Sequence, residues 1–122
     1  MIEDGELVGN LYQVPDKWWG FESVGRHNHP GACVGYENRG FKAVMLKGTD
    51  PKSRDYKYAE VLVEPDGSNK LKKTTSFSIN PRLYSARKVG LLADVLIGEL
   101  TEKDLRRMQN ELRRQFGDPD EE

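Results

Sequence analysis

Cysteine is nearly absent: Cys33 is the single one among 122 residues. That excludes an internal disulfide and fits a reducing, cytoplasmic setting. No run approaches the roughly 20 apolar residues that cross a bilayer, so no membrane span is expected. The opening Met-Ile-Glu-Asp-Gly-Glu-Leu is acidic where a signal peptide needs a basic start. There is no Gly-rich phosphate loop, no paired-Cys motif, no His-Glu-x-x-His and no Gly-x-Ser-x-Gly. Acids are missing from Gly67 to Ala93, a stretch holding six bases: Lys70, Lys72, Lys73, Arg82, Arg87 and Lys88. Bases are missing from the tail, where Asp118-Pro-Asp-Glu-Glu122 carries four acids. The net charge of −1 therefore hides a slightly basic body, one part of which suits a phosphate-bearing ligand, although a solvated face explains any single lysine equally well.

A length of 122 residues and a hydrophobic content of 36% describe one domain with a thin core, which a partner or a second copy would help. Gly5 to Val14 mixes apolar and polar positions like a first strand. Pro15 to His29 is a long connection holding Trp18, Trp19 and Phe21, either a lid that packs down or a sticky surface. Gly31–Tyr36, Phe41–Lys47, Tyr58–Glu64 and Lys72–Ile79 read as further strands. Turns fall at Glu37–Gly40 and Pro65–Gly67. Leu83–Val89 and Leu91–Ile97 are short apolar runs, compatible with strands or a helical turn.

The C-terminal pattern is sharper. Thr101 is a good N-cap, with Asp104 three residues on in place of the usual capping-box Glu. Leu105, Met108, Leu112 and Phe116 recur at spacings of three and four, giving one apolar stripe that predicts a helix of about four turns packed on the sheet. The Met and Phe are read as core. Gly117 and Pro119 end the helix. The tail 118–122 is expected to be disordered. Together these elements predict a mainly β fold, a small curved antiparallel barrel with a C-terminal helix.

Most of the candidate chemistry lies in Gly25-Arg-His-Asn-His-Pro-Gly-Ala-Cys-Val-Gly-Tyr36, with Lys47-Gly-Thr-Asp50 a dozen residues on. Both histidines, His27 and His29, are here. Histidine both takes and gives protons near neutrality. Arg26 beside them suits a phosphate, and Thr49 offers a hydroxyl at a strand end. Such a set serves metal-free phosphodiester cleavage, with a 2′-hydroxyl as internal nucleophile. The plainer reading makes His29-Pro30-Gly31 a turn and Thr49 its cap, and composition alone favours it. His27, His29 and Cys33 lack the fixed geometry of a metal site. Cys33, in an apolar run, reads as a small buried hydrophobe.

The order of elements resembles the MazF/PemK family of toxins from toxin–antitoxin systems, over residues 5 to 117. Gly5-Glu-Leu-Val8 resembles the family's opening Gly-Asp-Ile-Val. Gly25 through Val34 is similar to its Gly-x-Arg-Pro-x-x-Val-Val, and Gly48-Thr49-Asp50 falls where it has Thr or Thr-Ser. Leu71 to Phe77 resembles the stretch before its fifth strand. Ile97-Gly-Glu-Leu-Thr101 is similar to its Ile-Gly-x-Leu-Ser/Thr ending.

The resemblance implies an SH3-like barrel, a homodimer, and a sequence-selective endoribonuclease acting on single-stranded mRNA without metal or other cofactor. It also implies a cognate antitoxin. Of the family's catalytic pair only the Thr carries over by position, to Thr49; the catalytic set is read as His29, Thr49 and Arg26, and the substrate contacts as His27, Trp18, Trp19, Lys47, Arg54, Lys73 and Ser76. One departure stands out: the family has Arg before the proline, and here His29 precedes Pro30. Either His29 takes over as acid–base, or Arg26 reaches in from three residues upstream, or activity is altered or lost. A non-catalytic binding module of the same fold, like the CcdB-type toxins, is the alternative.

Overall fold

The computed structural model describes residues 7–19, 28–51 and 59–117. The expected first strand begins later than its pattern suggests, because Gly9 adopts a left-handed φ of 93° that breaks extended backbone. Gly9 joins distant parts: its N–H donates to the Cys33 carbonyl at 2.8 Å and its carbonyl accepts from Leu100 N at 2.7 Å. Strand β1 then runs Asn10–Pro15 and leads into a 3-10 turn at Asp16–Trp19. Strands β2 (Asn28–Glu37) and β3 (Lys42–Thr49) are the longest. Next come β4 (Glu60–Val63), β5 (Thr75–Ser78) and β6 (Arg82–Ser85).

The two ambiguous runs contain both alternatives. Ser85 Oγ caps helix α1 (Ala86–Gly90) by accepting from Lys88 N, a 3-10 turn follows at Leu91–Val95, and β7 spans Leu96–Glu99. Helix α2 (Glu102–Phe116) starts as its pattern predicts, with Thr101 Oγ1 accepting from Asp104 N at 3.2 Å. Such a cap stabilises by about 1 kcal/mol. The Asp104 carboxylate pairs with Arg107 at 2.9 Å.

Among the described residues the sheet is seven-stranded, antiparallel and curled like half a barrel, in the order β4-β5-β3-β2-β1-β7, with β6 beside β3. Strand alternation gives it two apolar faces. On one, Leu11, Ala32, Val34, Leu46, Val63 and Phe77 pack with Met108 and Leu112 of α2. On the other, Tyr12, Val14, Cys33, Ala43 and Met45 are covered by Trp19 of the 3-10 turn and by Ala86 and Val89 of α1. Phe116 departs from the expected stripe. It is 60% exposed, and the residues of α2 after Leu112 are exposed with it.

A short loop seals the gap between β4 and β7. Asn69 is fully buried there, donating to Glu64 O and accepting from the Asp66 and Leu71 amides. Ser68 binds Glu99 twice, through Oγ–H to the Glu99 carbonyl (2.8 Å) and from Glu99 N to its own carbonyl (3.0 Å). Gly98 permits this approach, since a Cβ there would lie 2.5 Å from Asn69 O.

Candidate functional site on the β2–β3 face

The segment His29-Pro30-Gly31 is strand, not turn, which corrects the plainer reading of the sequence. β2 continues outward to Asn28 paired, among the described residues, with β1, with His29 opposite Val14 and Pro30 opposite Gln13. Its ladder with β3 begins at Gly31, opposite Lys47. A proline is tolerated where a strand is bonded along one edge. Continued outward, the β2–β3 register sets His29 level with Thr49. The close packing of Pro30 on Gly48 agrees, since a Cβ on Gly48 would be 3.0 Å from Pro30 Cγ.

Alternation assigns the side chains to faces. A Cβ at Gly31 would meet Val14, Trp19 and Met45, all on the face covered by the 3-10 turn. His29, two residues away, shares that face. On β3, Met45, Lys47 and Thr49 share it too. So does Ser76, which pairs with Thr49 across the β3–β5 ladder. Arg82, opposite Met45 on β6, adds an exposed cation beside the same row. His29, Lys47, Thr49 and Ser76, far apart in sequence, thus lie in a band across three strands.

Two pairs organise this band. Asp16, the first residue after β1, accepts a hydrogen bond from His29 Nδ1–H at 2.5 Å, its side chain 8% exposed and that of His29 31%. Ser76, fully buried, donates its hydroxyl to Glu60 Oε2. Two buried polar atoms lack a hydrogen-bond partner among the described residues: Thr49 Oγ1 and Trp19 Nε1. A buried hydroxyl without a partner forfeits about 1–3 kcal/mol, so its retention at a strand end marks a candidate site.

The other expected contacts are less tightly gathered. Lys73 forms an exposed pair with Asp50 at 2.9 Å, which contributes at most about 1 kcal/mol. Trp19 is 4% exposed and packs beneath Gly31, so its ring is core. Trp18 is partly exposed, its ring tilted at 46° against Tyr84 with centroids 4.9 Å apart and Lys88 Nζ 4.3 Å above it. Burial raises the Tyr84 phenol above its ordinary value, against the opposing pull of Arg82, and the phenol donates to the Trp18 carbonyl. Within the basic stretch, Lys73 pairs with Asp50 and Lys88 lies over the Trp18 ring. Arg26, His27, Arg54, Phe21 and the tail lie outside the described residues.

Burial pushes the Cys33 thiol up to about 12, which leaves it inert as a nucleophile near neutrality. Among the described residues no three His, Cys, Asp or Glu side chains gather as a metal site. No helix among them is long and apolar enough to cross a membrane. Asp16, Glu60 and Arg82 were not singled out by sequence reasoning. Asp16 carries no local signal, since its partner is 13 residues away and register alone joins them. No protein-family model matches the chain, and no curated protein matches it in sequence.

Proposed function

We propose that the chain is the toxin of a toxin–antitoxin pair of the MazF/PemK kind, a metal-independent endoribonuclease on an SH3-like barrel. In this reading it works in the cytoplasm as a homodimer. It cuts single-stranded mRNA at chosen sequences and is neutralised by a cognate antitoxin. The observation that carries the reading is the shared face of His29, Lys47 and Thr49, with Asp16 bonded to the imidazole.

The reaction needs a base, an anion-stabilising donor and positive charge. The 2′-oxygen of one ribose attacks the adjacent phosphorus while its proton passes to the imidazole of His29. The bond from phosphorus to the 5′-oxygen breaks, that oxygen leaves with a proton taken from solvent, and the His29 imidazolium returns its proton to solvent. The products are a 2′,3′-cyclic phosphate and a 5′-hydroxyl, and no water is consumed. Once RNA binding opens the covered strand end, Thr49 Oγ–H, buried and unpartnered among the described residues, donates to a non-bridging oxygen as charge builds there. Lys47, Arg82 and Arg26 supply positive charge. Trp18 offers a ring for one base, Lys73 lies at the β5 side, and the buried Ser76 and Trp19 support the strands beneath. His27 and Arg54 extend the RNA contacts.

The test is cleavage of a defined single-stranded RNA in EDTA by wild type, His29→Ala and Thr49→Ala. Cyclic-phosphate ends from wild type, with turnover reduced about 10²-fold or more in each variant, are the expected result. Intact RNA with well-folded wild-type protein would refute it. The substitution of His29 for the family's arginine favours a second reading, a non-catalytic binding module of the same fold. Salt-sensitive RNA binding without cleavage is its signature.

A further inference from the structure

We propose that Asp16 is a positioning residue for His29. It fixes which ring nitrogen carries the proton and so leaves Nε2 as the atom that exchanges protons with substrate. The proposal rests on the reading of His29 as the acid–base group, and it deepens that reading with a residue that no motif supplied.

The geometry is specific. Asp16 follows Pro15, which pairs with Asn28 at the end of the β1–β2 ladder, and Val14 pairs with His29 itself. The carboxylate is therefore delivered to the imidazole by two paired strands rather than by a free loop. It opens the 3-10 turn whose last residue, Trp19, packs under Gly31, so the turn is anchored at both ends. The contact uses Nδ1 at 2.5 Å, and the Asp16 side chain is 8% exposed.

An ionised carboxylate can only accept, so the ring must donate from Nδ1. In the neutral ring the lone pair then belongs to Nε2. When Nε2 takes a proton, the buried negative charge already lies against the imidazolium, and no reorganisation is needed. A merely structural pair would fix the same tautomer with no bearing on turnover, so in the variants the tautomer and kcat must change together.

Asp16→Asn separates the two roles. The amide is nearly isosteric, but its N–H can donate to Nδ1 and permit the opposite tautomer. The measurement is the ¹⁵N spectrum of the histidine rings at a pH where they are neutral. The chain has two histidines, so His27→Gln assigns the His29 signals. The Nδ1–H tautomer is expected in wild type, with loss of that tautomer in Asp16→Asn. Alongside it kcat should fall about 10²-fold with KM changed much less. Asp16→Glu, which restores the charge, should recover part of both signals.

An Nε2–H tautomer in wild type overturns the proposal. So does Asp16→Asn that keeps the Nδ1–H tautomer, whatever its rate, because a rate loss without a tautomer change is structural. If Asp16→Asn does not fold, the wild-type spectrum and Asp16→Glu still decide. Wild-type protein that leaves RNA intact while the tautomer follows Asp16 removes the endoribonuclease reading and keeps the positioning. Cleavage with a tautomer indifferent to Asp16 does the reverse.

Discussion

Replacing Gly48 by alanine tests whether close packing at one backbone position holds the two halves of the candidate site together. A Cβ there would lie 2.7 Å from Thr75 Cγ2, 2.9 Å from Phe77 Cε1 and 3.0 Å from Pro30 Cγ. Ordinary contact begins at 3.4 Å, so these neighbours must retreat by about 0.4–0.7 Å. Phe77 is fully buried and Thr75 nearly so, which leaves the strands themselves to separate. Overpacking of this kind costs about 1–3 kcal/mol, a sizeable part of the roughly 5–15 kcal/mol that holds a domain folded.

At about 3–6 °C per kcal/mol for a chain of this size, the melting temperature should fall by roughly 3–18 °C. Activity should fall further than stability explains. Pro30 adjoins His29 and Gly48 adjoins Thr49, so spreading β2, β3 and β5 moves both groups, and a misplacement of about 1 Å can lose about 10²-fold in rate. The assay is urea unfolding followed by tryptophan fluorescence, paired with RNA cleavage under conditions where the variant is folded. Gly35→Ala is the control, because a Cβ there meets nothing within 4 Å and φ is not left-handed. It should be neutral or slightly stabilising. A Gly48→Ala midpoint equal to wild type would refute the argument.

Thr49→Val should raise stability by about 0.5–2 kcal/mol, by removing a buried hydroxyl that has no described partner, while abolishing cleavage. Denaturant titration and the cleavage assay check the two halves, and a destabilised variant would show that the hydroxyl is satisfied in the native state. Gly98→Ala should destabilise by about 2–4 kcal/mol, since its Cβ meets backbone atoms of Ser68 and Asn69 and threatens both Ser68–Glu99 hydrogen bonds. Gly67→Ala, with open space around it, should be within about 0.5 kcal/mol of wild type in the same melt. Cys33 should resist iodoacetamide at pH 8 in the native protein. Raising the thiol from 9.0 to about 12 leaves about a thousandth of the usual thiolate, before its burial is counted. Labelling at the rate of unfolded chain would contradict that.

Legibility from sequence varied with how local the causes were. Helix α2 was readable because cap, stripe and terminal glycine all lie within the segment they define. Phe116 continues the apolar stripe yet is exposed, because how far a neighbouring element covers a helix is not a local property. The outer part of β2 was hidden by His29-Pro30-Gly31, whose composition suits a turn. Only the pairing with β1 shows that proline is acceptable there. His29 and Thr49 were both flagged, but their shared face depended on a register that composition does not give. Asp16 was invisible for the same reason, and so was the Glu60 partner of Ser76.

The pairing of β1 with β7 also sets an order of events. β1, β2 and β3 can form a meander as soon as residue 49 is available, since each pairs with the next in sequence. The outer edge of β1 then waits for residues 96–99, the last strand to leave the ribosome. Until it arrives, the backbone groups of Asn10 to Tyr12 on that edge have only water or a neighbouring chain to bond. Joining strands more than eighty residues apart also carries the largest loop-closure entropy in the sheet. The Ser68–Glu99 bonds, which need both β7 and the loop after β4, act as the latch on that final step.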